Sequence, residues 1–212
     1  MKMKKITLLL FCLSSILTVH SQQKGVTENG EEVILFEDGT WKYQNEDYLN
    51  ETEIRTNPKE FIKDNNSTFL LKSNNVNVGF WLNPKVWSFK KATDNPDAEY
   101  ELQLKEGDLY GMIISEKVEI PLPTLRSIAF ETAQTMAPDL KIINEEYRAV
   151  NGIKVLLLQM NGTMQGIKFS YYGYYFSNTN GTVQFITYTS QNLINDYRTE
   201  CDNLLNGIIE IN

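Results

Sequence analysis

Three groups of carboxylates have the residue type and spacing for general acid–base work: Glu145 with Glu146, Glu31 with Glu32, and Asp94 with Asp97 and Glu99. Two carboxyl groups facing one cleft about 5–9.5 Å apart act as acid and base, or acid and nucleophile, in glycoside cleavage. Consecutive residues of a strand point to opposite faces, so Glu145 and Glu146 on a strand do not share a site. Solvated surface charge is the favoured reading of all three groups. Asp94-Asn95-Pro96-Asp97 carries oxygen ligands but lacks the spacing and glycine of a calcium loop, and reads as an ordinary turn. A carboxylate-dependent hydrolase acting on glycans is the alternative function these residues keep open.

Other catalytic chemistry has less to work with. The one histidine, His20, lies in an N-terminal segment that reads as cleavable, and without imidazole neither a Ser-His-Asp nor a Cys-His arrangement can be assembled. Zinc usually takes Cys and His, and one cysteine, Cys201, remains after cleavage. Cys201 falls on an apolar stripe and reads as a small buried hydrophobe. Gly-rich phosphate loops are absent. The sequence therefore assigns no catalytic residue, no cofactor-binding residue, no cofactor and no metal ligand.

Tyr171-Tyr172-Gly173-Tyr174-Tyr175-Phe176 is the most unusual segment. Alternation puts Tyr172, Tyr174 and Phe176 on one face of a strand and Tyr171 and Tyr175 on the other. Aromatic strands pack well in cores. Five rings on six residues nevertheless exceed what one covered sheet face would bury. Burial in the core is the favoured reading, and Tyr172, Tyr174 and Phe176 are the candidate partner-binding strip if one side is left exposed.

The elements that must position these residues begin with an export signal. Lys2, Lys4 and Lys5 precede an apolar run from Ile6 to Val19, and Ser21 stands before polar sequence, which marks residues 1–21 as a signal peptide. The run is shorter than the ~20 residues of a transmembrane helix, and no later stretch is long and apolar enough to span a bilayer. Removing the segment takes three lysines and moves the net charge from −7 to −10. An acidic surface argues against nucleic acid, whose phosphates demand Lys and Arg clusters. The partner is an unknown protein or ligand, met in the periplasm or outside the cell.

Residues 22–43 read as a β-hairpin turning at Asp38-Gly39 and packing through Phe36 and Trp41. Residues 44–66 read as a linker with one helical turn at Pro58–Lys63, and 67–212 as the main domain. Thr68–Leu71, Val76–Leu82, Tyr100–Leu104 and Leu109–Ser115 are strand candidates. A helix opens at Pro121 and Pro123 and ends before Ala137-Pro138, with Leu125, Ile128, Ala129, Ala133 and Met136 on one face. Four strands follow, joined at Asn151-Gly152, Asn161-Gly162 and Asn180-Gly181, each a strong hairpin signal. A last helix over Gln191–Asn206 carries Leu193, Ile194, Tyr197, Cys201, Leu204, Leu205 and Ile208, with Gly207 as its C-cap. The expected class is α+β: a largely antiparallel sheet covered by helices, after a small N-terminal hairpin.

With the Phe80…Pro84…Trp87 opening, the Pro123–Met136 helix, Asn151-Gly152 in a meander and a closing helix with Leu204-Leu205, residues 75–212 resemble the Mog1/PsbP-like α/β/α sandwich family. Glu37-Asp38-Gly39-Thr40-Trp41 resembles the DGTW element of small uncharacterised bacterial exported proteins. The resemblance implies an exported, non-catalytic binding protein of the bacterial envelope.

Overall fold

A computed structural model describes residues 23–27, 32–36, 39–43, 54–93 and 95–211. The signal segment, Glu31, Asp38 and Asp94 lie outside these. The chain divides into two compact units, Met1–Thr52 and Glu53–Asn212.

The first unit is a three-stranded antiparallel sheet of β1 (Gln23–Val26), β2 (Glu32–Leu35) and β3 (Trp41–Tyr43). It has one strand more than the expected hairpin. Gly39 adopts φ +83°, and the Phe36 N–H donates to the Thr40 carbonyl at 2.8 Å to close the β2–β3 turn. Among the described side chains of this unit Val33 is buried; Trp41, expected to anchor the hairpin, is 52% exposed.

The second unit is built on an eight-stranded sheet. Its order is β4 (Thr56–Phe61), β10 (Lys141–Val150), β11 (Ile153–Met164), β12 (Ile167–Asn178), β13 (Gly181–Ser190), β9 (Tyr110–Glu116), β8 (Ala98–Leu104) and β7 (Trp87–Lys91). Every pairing is antiparallel except that of β4 with β10. A smaller antiparallel sheet orders β14 (Ile208–Glu210), β6 (Val78–Leu82) and β5 (Phe69–Lys72).

Two faces of the large sheet are buried by different elements. Leu156, Leu158, Tyr175 and Ile186 pack with Leu125 and Ala129 of α1 (Leu122–Met136). Val155, Leu157, Tyr172, Tyr174 and Phe185 pack with Cys201, Leu204 and Leu205 of α2 (Arg198–Leu205) and with Phe80 and Leu82 of the small sheet. Burial on both faces is why β11 runs Val-Leu-Leu-Leu without alternation. It also resolves the surplus of rings on β12, which divide between two covered faces. Among the described residues no helix is long and apolar enough to cross a membrane.

Several sequence expectations are corrected here. Thr56–Phe61, read as linker with a helical turn, is the edge strand β4, held by Arg55 and Asn57 to the Glu146 carboxylate of β10 at 3.1 and 3.0 Å. Asn151-Gly152 makes the expected two-residue turn with φ of 49° and 83°. Asn161-Gly162 instead lies inside β11, and the chain reverses at Gln165-Gly166, whose φ values are 51° and 82°. Gly162 sits in a tightly packed spot, where a Cβ would lie 3.0 Å from the Leu140 side chain and 3.1 Å from that of Ala137. On α1, Ile128 and Met136 are exposed, while Leu122 and Phe130 join Leu125, Ala129 and Ala133 on the packed stripe. The last helix is shorter than expected: Gln191–Tyr197 forms turns, with Ile194 buried, and Ile208 belongs to β14.

A chain beginning at Glu53 is expected to unfold in one cooperative transition. One beginning at Ile62, lacking β4, should lose about 1.5–3 kcal/mol, because Glu146 forfeits two hydrogen-bond donors. Thermal melts of the two chains check this; equal midpoints would show that β4 contributes nothing.

Candidate functional site

Tyr172, Tyr174 and Phe176 do not form an exposed strip. They are 1%, 0% and 4% exposed, beneath α2 and the small sheet. The side-chain periodicity assigns all three to one face, and that face is covered, so they are removed from the candidate surface. The hydroxyls of Tyr172 and Tyr174 serve a buried polar network. Tyr172 donates to Asp202 Oδ1 at 2.7 Å, and Tyr174 donates to Asn206 Oδ1 at 2.8 Å. Arg148 donates from Nε to Glu146 Oε1 at 2.7 Å and from Nη1 to the Tyr174 hydroxyl at 2.9 Å. Its guanidinium also lies 4.3 Å from the centre of the Phe61 ring. Arg198 covers the Tyr172 ring at 4.1 Å and donates to Gln159. Burial pushes both tyrosine hydroxyls up, Tyr174 to about 12, so both remain protonated donors. The sequence signal for this network was Glu146 and Arg148 at i, i+2, opposite charges on one strand face.

Cys201 is fully buried, and desolvation pushes its thiol up to about 11. A thiol in that state is a poor nucleophile.

On the α1 face of the large sheet, at the β7–β8–β9 end, a row of aromatic rings extends beyond the apolar stripe that α1 buries. The register aligns Ser88, Gln103, Tyr110, Tyr188 and Tyr171 across five strands. Paired residues share a face. Tyr110 stacks on Tyr188 with centroids 5.6 Å apart and planes 23° apart, and Tyr188 meets Tyr171 edge-on at 6.0 Å. Tyr110 and Tyr188 are half-buried. An open depression of about 330 Å³ lies beside them, lined also by Ser88, Lys90, Glu101 and Gln103. Lys90 and Glu101 pair at 2.9 Å across its floor. This surface was not legible in the sequence, because the pairing of β9 with β13 joins segments separated by α1 and the meander.

The carboxylates scatter as solvated or paired groups. Glu145 faces α1 and pairs with Arg126, while Glu146 faces the opposite side. Asp97 donates its N–H to Asn95 Oδ1 at 3.0 Å in a simple turn, and Glu99 accepts from Ser73 Oγ at 2.7 Å. A pair the sequence did not single out, Asp64 and Glu200, lines a depression of about 150 Å³ with Asn66, Asn83, Trp87 and Asn203.

At the sequence level no family profile and no curated protein matches the chain. Among solved structures it is similar to cyanobacterial PsbP (CyanoP) from Synechocystis sp. PCC 6803, with a TM-score of 0.51 and 14% identity over 67% of this chain and 91% of that one. It is also similar to LpqN of Mycobacterium tuberculosis, a protein involved in cell envelope biogenesis, with a TM-score of 0.38 and 8% identity over 81% of this chain and 99% of that one. The first likeness shows a PsbP-like fold.

Proposed function

We propose that this chain is an exported, non-catalytic protein of the bacterial envelope that binds a ligand or partner on the sheet surface around Tyr110 and Tyr188. The observation that carries this reading is the half-buried aromatic row beside an open, mixed-polarity depression. Aromatic side chains at a concave surface supply large contact area at low entropic cost, and a few polar groups around them fix orientation. The signal-like segment at residues 1–21, the shortage of imidazole and thiol chemistry, and the PsbP-like fold support export and binding over turnover. The N-terminal sheet, with its DGTW resemblance, and the helix–sheet–helix layering of the sandwich family belong to the same reading.

Replacing Gln103 by p-benzoylphenylalanine puts a photo-crosslinker in the depression. Irradiation in the native envelope should give a discrete adduct that the same probe at Thr132, exposed on α1, does not. Tyr110→Ala should abolish it, since an anchor of this kind contributes about 2 kcal/mol or more, roughly thirtyfold in affinity. Equal labelling from both positions would reject the surface. The rival reading, a carboxylate-dependent glycan hydrolase, now rests on Asp64 and Glu200 sharing one depression. Glycan turnover lost in both Asp64→Asn and Glu200→Gln would establish it over the binding reading.

A further inference from the structure

We propose that the Tyr110 depression takes a neutral saccharide, with one sugar ring laid against the face of Tyr110 that Tyr188 leaves open. This rests on reading the depression as the ligand surface, and it names the ligand class. Tyr188 stacks on Tyr110 from the β13 side. The strand order continues from β9 to β8, so the opposite face of the Tyr110 ring is turned toward the Gln103 and Ser88 row, where the depression lies. One aromatic face beside a polar floor matches a pyranose, which carries an apolar face of C–H bonds and a rim of hydroxyls. The negative face of the ring quadrupole attracts such weakly positive C–H groups.

The rim chemistry agrees. No hydrogen-bond partner for the Gln103 carboxamide or for the Tyr110 and Tyr188 hydroxyls is found among the described residues. A carboxamide offers both a donor and an acceptor, as a hydroxyl does. Burial first, then Glu101, Tyr171 and Tyr110, raise the Tyr188 hydroxyl, which stays a donor. Among the described residues that line the depression, the charged ones are Lys90 and Glu101, which pair with one another. An anionic ligand would meet no excess positive charge there and a net charge of −7 on the whole chain. A cation would find Glu101 already engaged. The volume is at the low end of small-ligand sites, ~300–1,000 Å³. Its open side lets a chain enter and leave, so the fitting ligand is a short stretch of an oligosaccharide.

The test titrates the full chain with cellopentaose, maltopentaose, mannopentaose and chitopentaose, and with anionic pentagalacturonate, by calorimetry and by NMR shift mapping. At least one neutral oligosaccharide should bind saturably, with pentagalacturonate weaker. Tyr110→Ala should weaken binding roughly tenfold or more, and Gln103→Ala several-fold, with both variants still folded at the temperature of the titration as judged by thermal melts. Thr132→Ala should leave binding as it was. No saturation by any neutral oligosaccharide to millimolar concentration, or binding indifferent to Tyr110→Ala, overturns the inference. If the crosslinker at position 103 still captures an envelope component in that case, the ligand surface stands and the saccharide class fails. If it captures nothing, both fail.

Discussion

Arg148→Met is expected to cost about 3–5 kcal/mol of folding stability, a fall in Tm of roughly 6–20 °C at ~2–4 °C per kcal/mol. Glu146 and Arg148 are 2% and 8% exposed. Removing the guanidinium leaves a buried carboxylate with Asn57 and the exposed Arg55 as its remaining partners. It also strips Asp202 of an ion-pair partner and Tyr174 of its donor, and it uncovers the Phe61 ring. The cost lies in the stranded partners, not in the net contribution of the pair. Changing Glu146→Leu together with Arg148→Met should therefore recover much of the loss. A double variant no more stable than Arg148→Met would show instead that guanidinium packing against Phe61 dominates.

The pH dependence separates the same two accounts. Burial raises the Glu146 carboxyl, but the hydrogen bonds from Asn57 and Arg148 and the charges of Arg148 and Arg55 outweigh it and hold the group below the usual carboxylate range. A depressed folded pKa gives a stabilisation that is complete above the unfolded value, ~4.3, and lost as pH falls through the folded value. The wild type should lose stability below about pH 4.3. Glu146→Gln, with no carboxyl to protonate, should show a flatter acid limb in denaturant titrations from pH 6 to pH 2.5.

What the sequence made legible follows from how local each signal is. The Pro121–Pro138 boundaries of α1, the Asn151-Gly152 turn and the alternation of Tyr172 with Tyr171 are set within a few residues, and the structure agrees with each. Asn161-Gly162 misled because its glycine serves a contact with Leu140 and Ala137, far along the fold, and not a turn. β4 was missed because Asn57-Pro58 and its charged neighbours carry no strand pattern; its place is fixed by Glu146, some ninety residues on. The strip at Tyr172 stayed open as a surface beside the favoured core reading because counting rings on one strand cannot reveal that both faces are covered. The Tyr110–Tyr188 row was invisible for a related reason: two single tyrosines on distant strands become neighbours only through register.

Gly207→Ala is expected to be severely damaging for a single added methyl, at least ~3 kcal/mol, at the upper end of what point substitutions cost. The sequence reads Gly207 as a helix C-cap needing positive φ. The structure gives a different reason. Gly207 is absent from the positive-φ glycines, and Asn206 closes α2 in right-handed conformation. A Cβ at position 207 would overlap the carbonyl oxygen of Trp81 in β6. Neither strand can retreat. The Gly207 N–H donates to the Leu204 carbonyl at 3.0 Å, and its own carbonyl accepts from the Trp81 N–H at 2.8 Å. Relief requires β14 to leave β6, which would uncover Ile208 and Phe80, both fully buried. Hydrogen exchange should accordingly show lost protection at Val78–Phe80 and Ile208–Glu210, with the eight-stranded sheet still protected. Gly152→Ala is the matched control, because its φ is +83° and a Cβ there meets open space. It carries only the conformational cost of a left-handed alanine, about 1–2 kcal/mol. Equal losses in the two variants would mean that backbone conformation, not the Trp81 contact, selects glycine at position 207.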